Sequence, residues 1–160
     1  MNKKQTSFHI PNYLKEGDKI ALISTARKIS FNELQSAIEC IKSWGLDLVL
    51  GEHLFNSHNQ FSASDDERTK DLQSMLNNPE IKAILCVRGG YGTVRIIDNI
   101  DFSQFQKNPK WLAGFSDITV LHSHIHKLNV ATLHSTMPIS FSNNTSESIC
   151  LLYTSDAADD

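Results

Sequence analysis

The chain has 160 residues, 40% of them hydrophobic and 21% charged, with a formal net charge of -3, which is the usage of one globular domain with a true apolar core. The mild acidity and the scatter of the basic residues argue against a nucleic-acid partner. No apolar run is long enough to span a bilayer, and the polar N-terminus MNKKQTSFHIPNYLKEGDKI has no leader-like apolar stretch.

In chain order, KIALIS (residues 19–24) reads as a strand buried on both faces. Ser30 with Glu33 forms a capping box for a helix carrying Leu34, Ala37, Ile38, Ile41 and Trp44, and Gly45 stands where its C-terminal cap belongs. LDLVL (46–50) is a second strand, followed by a polar loop. Ser64 with Glu67 is a second capping box, opening a helix through Leu72, Met75 and Leu76 that Asn77, Asn78 and Pro79 close. IKAILCV (81–87) is a third strand, RGGYG (88–92) interrupts it, and TVRIIDNI reads as a short helix. KWLAGF (110–115) is a fourth strand. From Ser116 onward, Ile118, Leu121, Ile125 and Leu128 form one helical stripe, and NVATLH (129–134) is a fifth strand.

Strands alternating with helices at this spacing predict an α/β fold, a mainly parallel sheet with helices on both faces, because parallel neighbours need crossover helices. Ligands in such sheets bind beyond the carboxyl ends of the strands. That rule selects four segments: ST after the first strand, RGGYG after the third, SD after the fourth and HST after the fifth.

A serine hydroxyl attacks a carbonyl only when a base takes its proton and donors meet the developing oxyanion. A sharp strand-to-helix turn exposes the hydroxyl and aims the next amide, here that of Asp117, at the site. GFSD around Ser116 has the first glycine of such an elbow, Gly114, but Ile118 stands where a second would be, so a plain helix N-cap is the competing reading. The three glycines of RGGYG allow close backbone approach, so the amide of Gly89 or Gly90 can donate to an oxyanion; a plain turn or a phosphate cradle is the alternative. His122 and His126 share a helix face at zinc-binding spacing, with His124 turned away, but no glutamate or third ligand accompanies them. Helix side chains point outward rather than over their own first turn, so His134 at a strand end is the better in-chain candidate for a base. Cys40, Cys86 and Cys150 are odd in number and far apart, without a CxxC pair, which reads as a reducing, cytoplasmic setting.

Taken together, FSASDDERTKDLQSMLNNPEIKAILCVRGGYG, NPKWLAGFSDITVLH and TLHSTMP resemble the LD-carboxypeptidase family of serine peptidases, which includes murein tetrapeptide carboxypeptidases and microcin-immunity peptidases. The match runs from about IPNYLKEGDKIALIST to HSTMPISF. The resemblance implies a flavodoxin-like or class I glutamine-amidotransferase-like N-terminal domain with a nucleophile elbow. It makes Ser116 the nucleophile and Asp117 and Gly90 the backbone donors of the oxyanion hole. Arg88, Gly89 and Tyr91 become substrate-binding residues. The implied substrate is a cytoplasmic murein peptide ending in D-alanine, the implied assembly a homodimer, and the chemistry requires no metal or organic cofactor. A microcin-type acyl hydrolase and a non-catalytic small-ligand module are the alternatives.

In the family the triad glutamate and histidine lie in a second, C-terminal domain, so no residue here takes either role by matching. Residues 1–149 are expected to form the N-terminal nucleophile domain, inactive alone. LLYTSDAADD carries no helical stripe and looks like sequencing read-through from about Cys150, with the natural chain continuing into the second domain.

Overall fold

Strands covered on both sides need apolar side chains in both phases of the pleat, and the segments read as strands have them. The computed structural model describes residues 8–144. Strands β1 (Lys19–Ile23), β2 (Asp47–Leu50), β3 (Ile81–Cys86), β4 (Trp111–Gly114) and β5 (Leu133–His134) pair in parallel in the order β2-β1-β3-β4-β5. That is the strand order of flavodoxin-type sheets.

The connecting helices are α1 (Phe31–Ser43), α2 (Asp65–Asn77), α3 (Thr93–Ile96), α4 (Ser103–Lys107) and α5 (Thr119–Lys127). Ile20 and Leu22, Ala83 and Leu85, and Ala113 serve one face of the sheet, where α1 brings Leu34, Ala37, Ile38 and Ile41. Ala21 and Ile23, Ile84 and Cys86, and Leu112 serve the other, against Leu72, Met75 and Leu76 of α2, Phe105 of α4, and Leu121 and Ile125 of α5. Each fully buried side chain of the larger kind contributes about 1.5–3 kcal/mol, so the two apolar layers hold the helices in place. Both expected capping boxes form: Ser30 Oγ accepts from Glu33 N at 3.3 Å and Glu33 Oε2 from Ser30 N at 2.8 Å, with the same exchange between Ser64 and Glu67. Cys86 is fully enclosed and burial pushes its thiol up to about 12, so it packs as an apolar residue.

Several boundaries differ from expectation. The fifth strand shrinks to Leu133–His134, because Asn129 takes a left-handed turn (φ 57) and Val130 leaves the sheet to bridge His9. The helix expected from Ser116 begins as a 3-10 turn, Ser116–Ile118, before α5. Helix α4 and a 3-10 helix at Pro138–Asn143 were not anticipated, being short and without side-chain caps. No helix among the described residues is long and apolar enough to cross a membrane. The segment from Cys150 read as non-native lies outside the described residues.

Lys110, just before β4, is buried and donates from Nζ to the carbonyls of Met75 (2.9 Å) and Asn78 (2.5 Å), the open C-terminal end of α2. Burial, with help from nearby Lys82, pulls its amine from the ordinary 10.5 down to about 8. The unfolded chain therefore binds the extra proton across that interval, and this residue's contribution to stability rises with pH. Denaturant unfolding from pH 8 to pH 10 should show the wild type gaining stability relative to Lys110→Met; parallel curves would refute the assignment.

Candidate active site

Because the strands are parallel, the residues that follow them gather at one sheet edge: Ser24 and Thr25 after β1, Arg88 to Gly92 after β3, Phe115 to Asp117 after β4, and Ser135 and Thr136 after β5. Ser116 sits there in the left-handed region at φ 61, exposed, after an extended Phe115 (φ -147, ψ -173). A non-glycine residue held in that region costs on the order of 1 kcal/mol or more and persists only where its surroundings enforce it. The N-cap reading fails, since Ser116 Oγ has no hydrogen-bond partner among the described residues and the turn has no side-chain cap.

The enforcing contacts are local. A Cβ on Gly114 would lie 2.9 Å from Ile118 Cγ1, so the strand end and the new helix pack tighter than any other residue allows. The Gly114 carbonyl accepts from Ser135 N at 3.2 Å and from His122 Nε2 at 3.0 Å. A carbonyl can only accept, so the His122 proton is on Nε2, and Nδ1 accepts from Thr132 Oγ1 at 2.9 Å. The zinc alternative for His122 and His126 thereby loses its first ligand. His126 packs edge-on against Phe8, and His124 stacks on Phe102.

The glycine loop meets the elbow directly. A Cβ on Gly89 would lie 3.2 Å from Ser116 Cβ and 3.4 Å from Ser116 Oγ. The Asp117 carboxylate accepts from Thr93 N at 2.8 Å, an otherwise open amide at the start of α3. Thr93 Oγ1 in turn bonds Thr25 Oγ1 at 2.8 Å in a buried pair. Beneath them the buried Arg68 guanidinium donates to the carbonyls of Thr25, Gly92 (3.1 Å) and Ala63 (3.3 Å), and to the Asp65 carboxylate. The ends of β1, β3 and β4 are thus tied into one polar network. The backbone N–H groups of Gly90 and Asp117 donate to nothing among the described residues, so both are free to meet an oxyanion.

The other expected residues fall around this centre. Arg88 donates to the Lys28 carbonyl at 3.0 Å and lies 3.5 Å from Glu33 Oε1. Tyr91 is half exposed with its ring 6.3 Å from that of Phe61. His134 is exposed beside Phe115, their rings 6.3 Å apart, and makes no bond to Ser116. Sequence reasoning missed Arg68, Thr93 and the Asp117 side chain as loop anchors, and Thr25 was flagged only by its place in the ST segment. It also missed a pair at the β2 end, where the buried Asp71 accepts from His53 Nδ1 at 2.8 Å and from His53 N. Those two residues lie 18 apart, and no motif signals them.

Burial holds the His122 imidazole below its ordinary 6.5, opposed by the Gly114 carbonyl and reinforced by His134 and His126. As pH falls below that value the unfolded chain takes up the proton first, so this residue's contribution is lost on acidification. The stability gap between wild type and the non-titrating His122→Gln should narrow as pH falls from 7 to 5; a widening gap would mean the ring is charged in the fold.

Residues 20–135 match the LD-carboxypeptidase N-terminal domain. The chain is 41% identical over 128 residues to a probable murein peptide carboxypeptidase of Bacillus subtilis (strain 168), aligning 79% of this chain with 40% of that protein. A muramoyltetrapeptide carboxypeptidase from Oxalobacter formigenes superposes with a TM-score of 0.77 at 26% identity, covering 86% of this chain and 47% of the other. An MccF-like protein from Bacillus anthracis str. Ames does so with a TM-score of 0.82 at 25% identity, covering 91% and 46%. The chain spans less than half the length of these relatives. With a domain match across most of its length and the strand-end geometry described above, the chain belongs to the LD-carboxypeptidase family and carries that family's N-terminal domain.

Proposed function

We propose that the protein is a serine carboxypeptidase that hydrolyses the peptide bond to a terminal D-alanine in murein tetrapeptides, with Ser116 as nucleophile. The observation that carries this reading is Ser116 itself: a strained, exposed serine whose hydroxyl has no partner among the described residues, in contact with a glycine loop at the carboxyl-end edge of the sheet. Ser116 Oγ attacks the scissile carbonyl carbon as a base takes its proton. The N–H groups of Asp117 and Gly90 receive the oxyanion, and collapse expels the amine of D-alanine once it is protonated. Water then cleaves the acyl-enzyme ester and regenerates the hydroxyl. Arg88, Gly89 and Tyr91 line the approach. In this reading the enzyme is cytoplasmic and homodimeric, as the family resemblance implies.

No imidazole or carboxylate bonds Ser116 Oγ among the described residues, and the family resemblance puts the triad glutamate and histidine in a second, C-terminal domain. Residues 1–160 alone are then expected to turn over at background, because losing a triad member costs about three or more powers of ten in rate. The likeness to the MccF-like protein, and to the microcin C7 self-immunity protein MccF of Escherichia coli, supports a second reading, hydrolysis of a microcin-type acyl compound by the same serine. D-alanine release from a murein tetrapeptide, assayed beside hydrolysis of an aminoacyl-sulfamoyl nucleoside of the kind bound by MccF, separates the two.

A fluorophosphonate probe should label the complete gene product at Ser116 and leave Ser116→Ala unlabelled; equal labelling of both removes the nucleophile assignment. Asp117→Ala should lower kcat roughly 10- to 100-fold with KM little changed, since it frees the loop that positions the oxyanion donors. A change confined to KM would place Asp117 in substrate binding instead.

A further inference from the structure

All four arginines of the chain, Arg27, Arg68, Arg88 and Arg95, surround the glycine loop. Three are committed to partners. Arg68 is buried under the loop and binds Asp65 and three carbonyls. Arg88 holds the Lys28 carbonyl and faces Glu33, and Arg95 grips Asp65 through bonds of 2.7 to 3.1 Å. The Arg27 guanidinium has neither an acidic nor a carbonyl partner among the described residues.

Its stem, by contrast, is fixed. The Arg27 carbonyl accepts from Ser24 Oγ at 2.6 Å, and its backbone bridges Phe61. The side chain then crosses Gly90, where a Cβ would lie 2.7 Å from both Arg27 Cγ and Cδ and 3.1 Å from Nε. Gly90, at φ 116, leaves the space that the arginine fills. The neighbouring Gly89 is the residue in contact with Ser116, and consecutive Cα atoms are about 3.8 Å apart. An arginine whose Nε lies against Gly90, with no acidic partner among the described residues, therefore stands one residue along the loop from the candidate nucleophile.

An unpaired guanidinium is matched by a planar anion taking two parallel N–H donors, that is, a carboxylate. A carboxypeptidase must read such a group one residue beyond the bond it cuts, about 3–4 Å from the scissile carbonyl carbon along the chain. We propose that Arg27 binds the free α-carboxylate of the substrate's C-terminal residue and so restricts cleavage to the last peptide bond. The assignment rests on the carboxypeptidase reading above.

The test uses the complete gene product carrying Ser116→Ala, titrated calorimetrically with a murein tetrapeptide ending in D-alanine and with the same peptide as its C-terminal amide. The free acid should bind about 10- to 100-fold more tightly than the amide. Adding Arg27→Gln, which keeps much of the stem, should erase that ratio, and Arg27→Lys should retain part of it. An unchanged ratio in Arg27→Gln, or equal weakening of both peptides, would overturn the proposal. D-alanine release by the protein with Ser116 intact is measured separately. Release with an acid preference that survives Arg27→Gln removes only this inference. An Arg27-dependent preference without release removes the peptidase reading and leaves the carboxylate site.

Discussion

The hydrogen bond from the Thr93 amide to the Asp117 carboxylate is the contact on which the site depends. It joins the turn after β4 to the start of the helix after the glycine loop, two segments separated by 24 residues in the chain. Neither segment has an internal reason to sit where it does. The α3 amide is one of the open donors of a helix start, and the turn at Ser116 is strained. Each supplies what the other lacks, and the buried Thr25–Thr93 hydroxyl pair extends the tie to the first strand.

Arg68 gives the network its floor. A buried guanidinium is costly to desolvate and is tolerated only when its donors are met. Here carbonyls from three separate loop segments and the Asp65 carboxylate meet them. The same residues thus satisfy the charge and hold the loops, which places the cost of a buried cation where loop position matters. The arginines at this edge divide into those that build the loop and one, the exposed Arg27, whose head has no acidic or carbonyl partner among the described residues, a division that no count of charges reveals.

His122 and the Gly114 carbonyl perform the corresponding task behind the serine. A strand end that must turn sharply leaves its last carbonyl without a ladder partner on one side, and a buried imidazole supplies the donor. The helical spacing of His122 and His126 that raised the possibility of zinc is instead one residue facing the sheet edge and another facing Phe8.

Much of this was legible in the chain itself. The alternation of apolar runs and capping boxes determined the parallel α/β layout, since Ser30 with Glu33 and Ser64 with Glu67 are local signals closed within one helical turn. The strand-end rule pointed to Ser116, Asp117 and RGGYG because parallel strands bring their carboxyl ends to one edge whatever their order in the chain. Local signals could not foresee the short, uncapped helices or the departure of Val130 from the fifth strand, where tertiary pairing with His9 prevails over strand propensity. What only the tertiary structure decided is which polar residues share a space: Thr25 with Thr93, Arg68 with Gly92, Asp71 with His53, and Arg27 with Gly90. These partners lie 18 to 68 residues apart along the chain. Spacing carries information only within a helical turn or a strand pair, so long-range polar pairing is set by the packing of the layers.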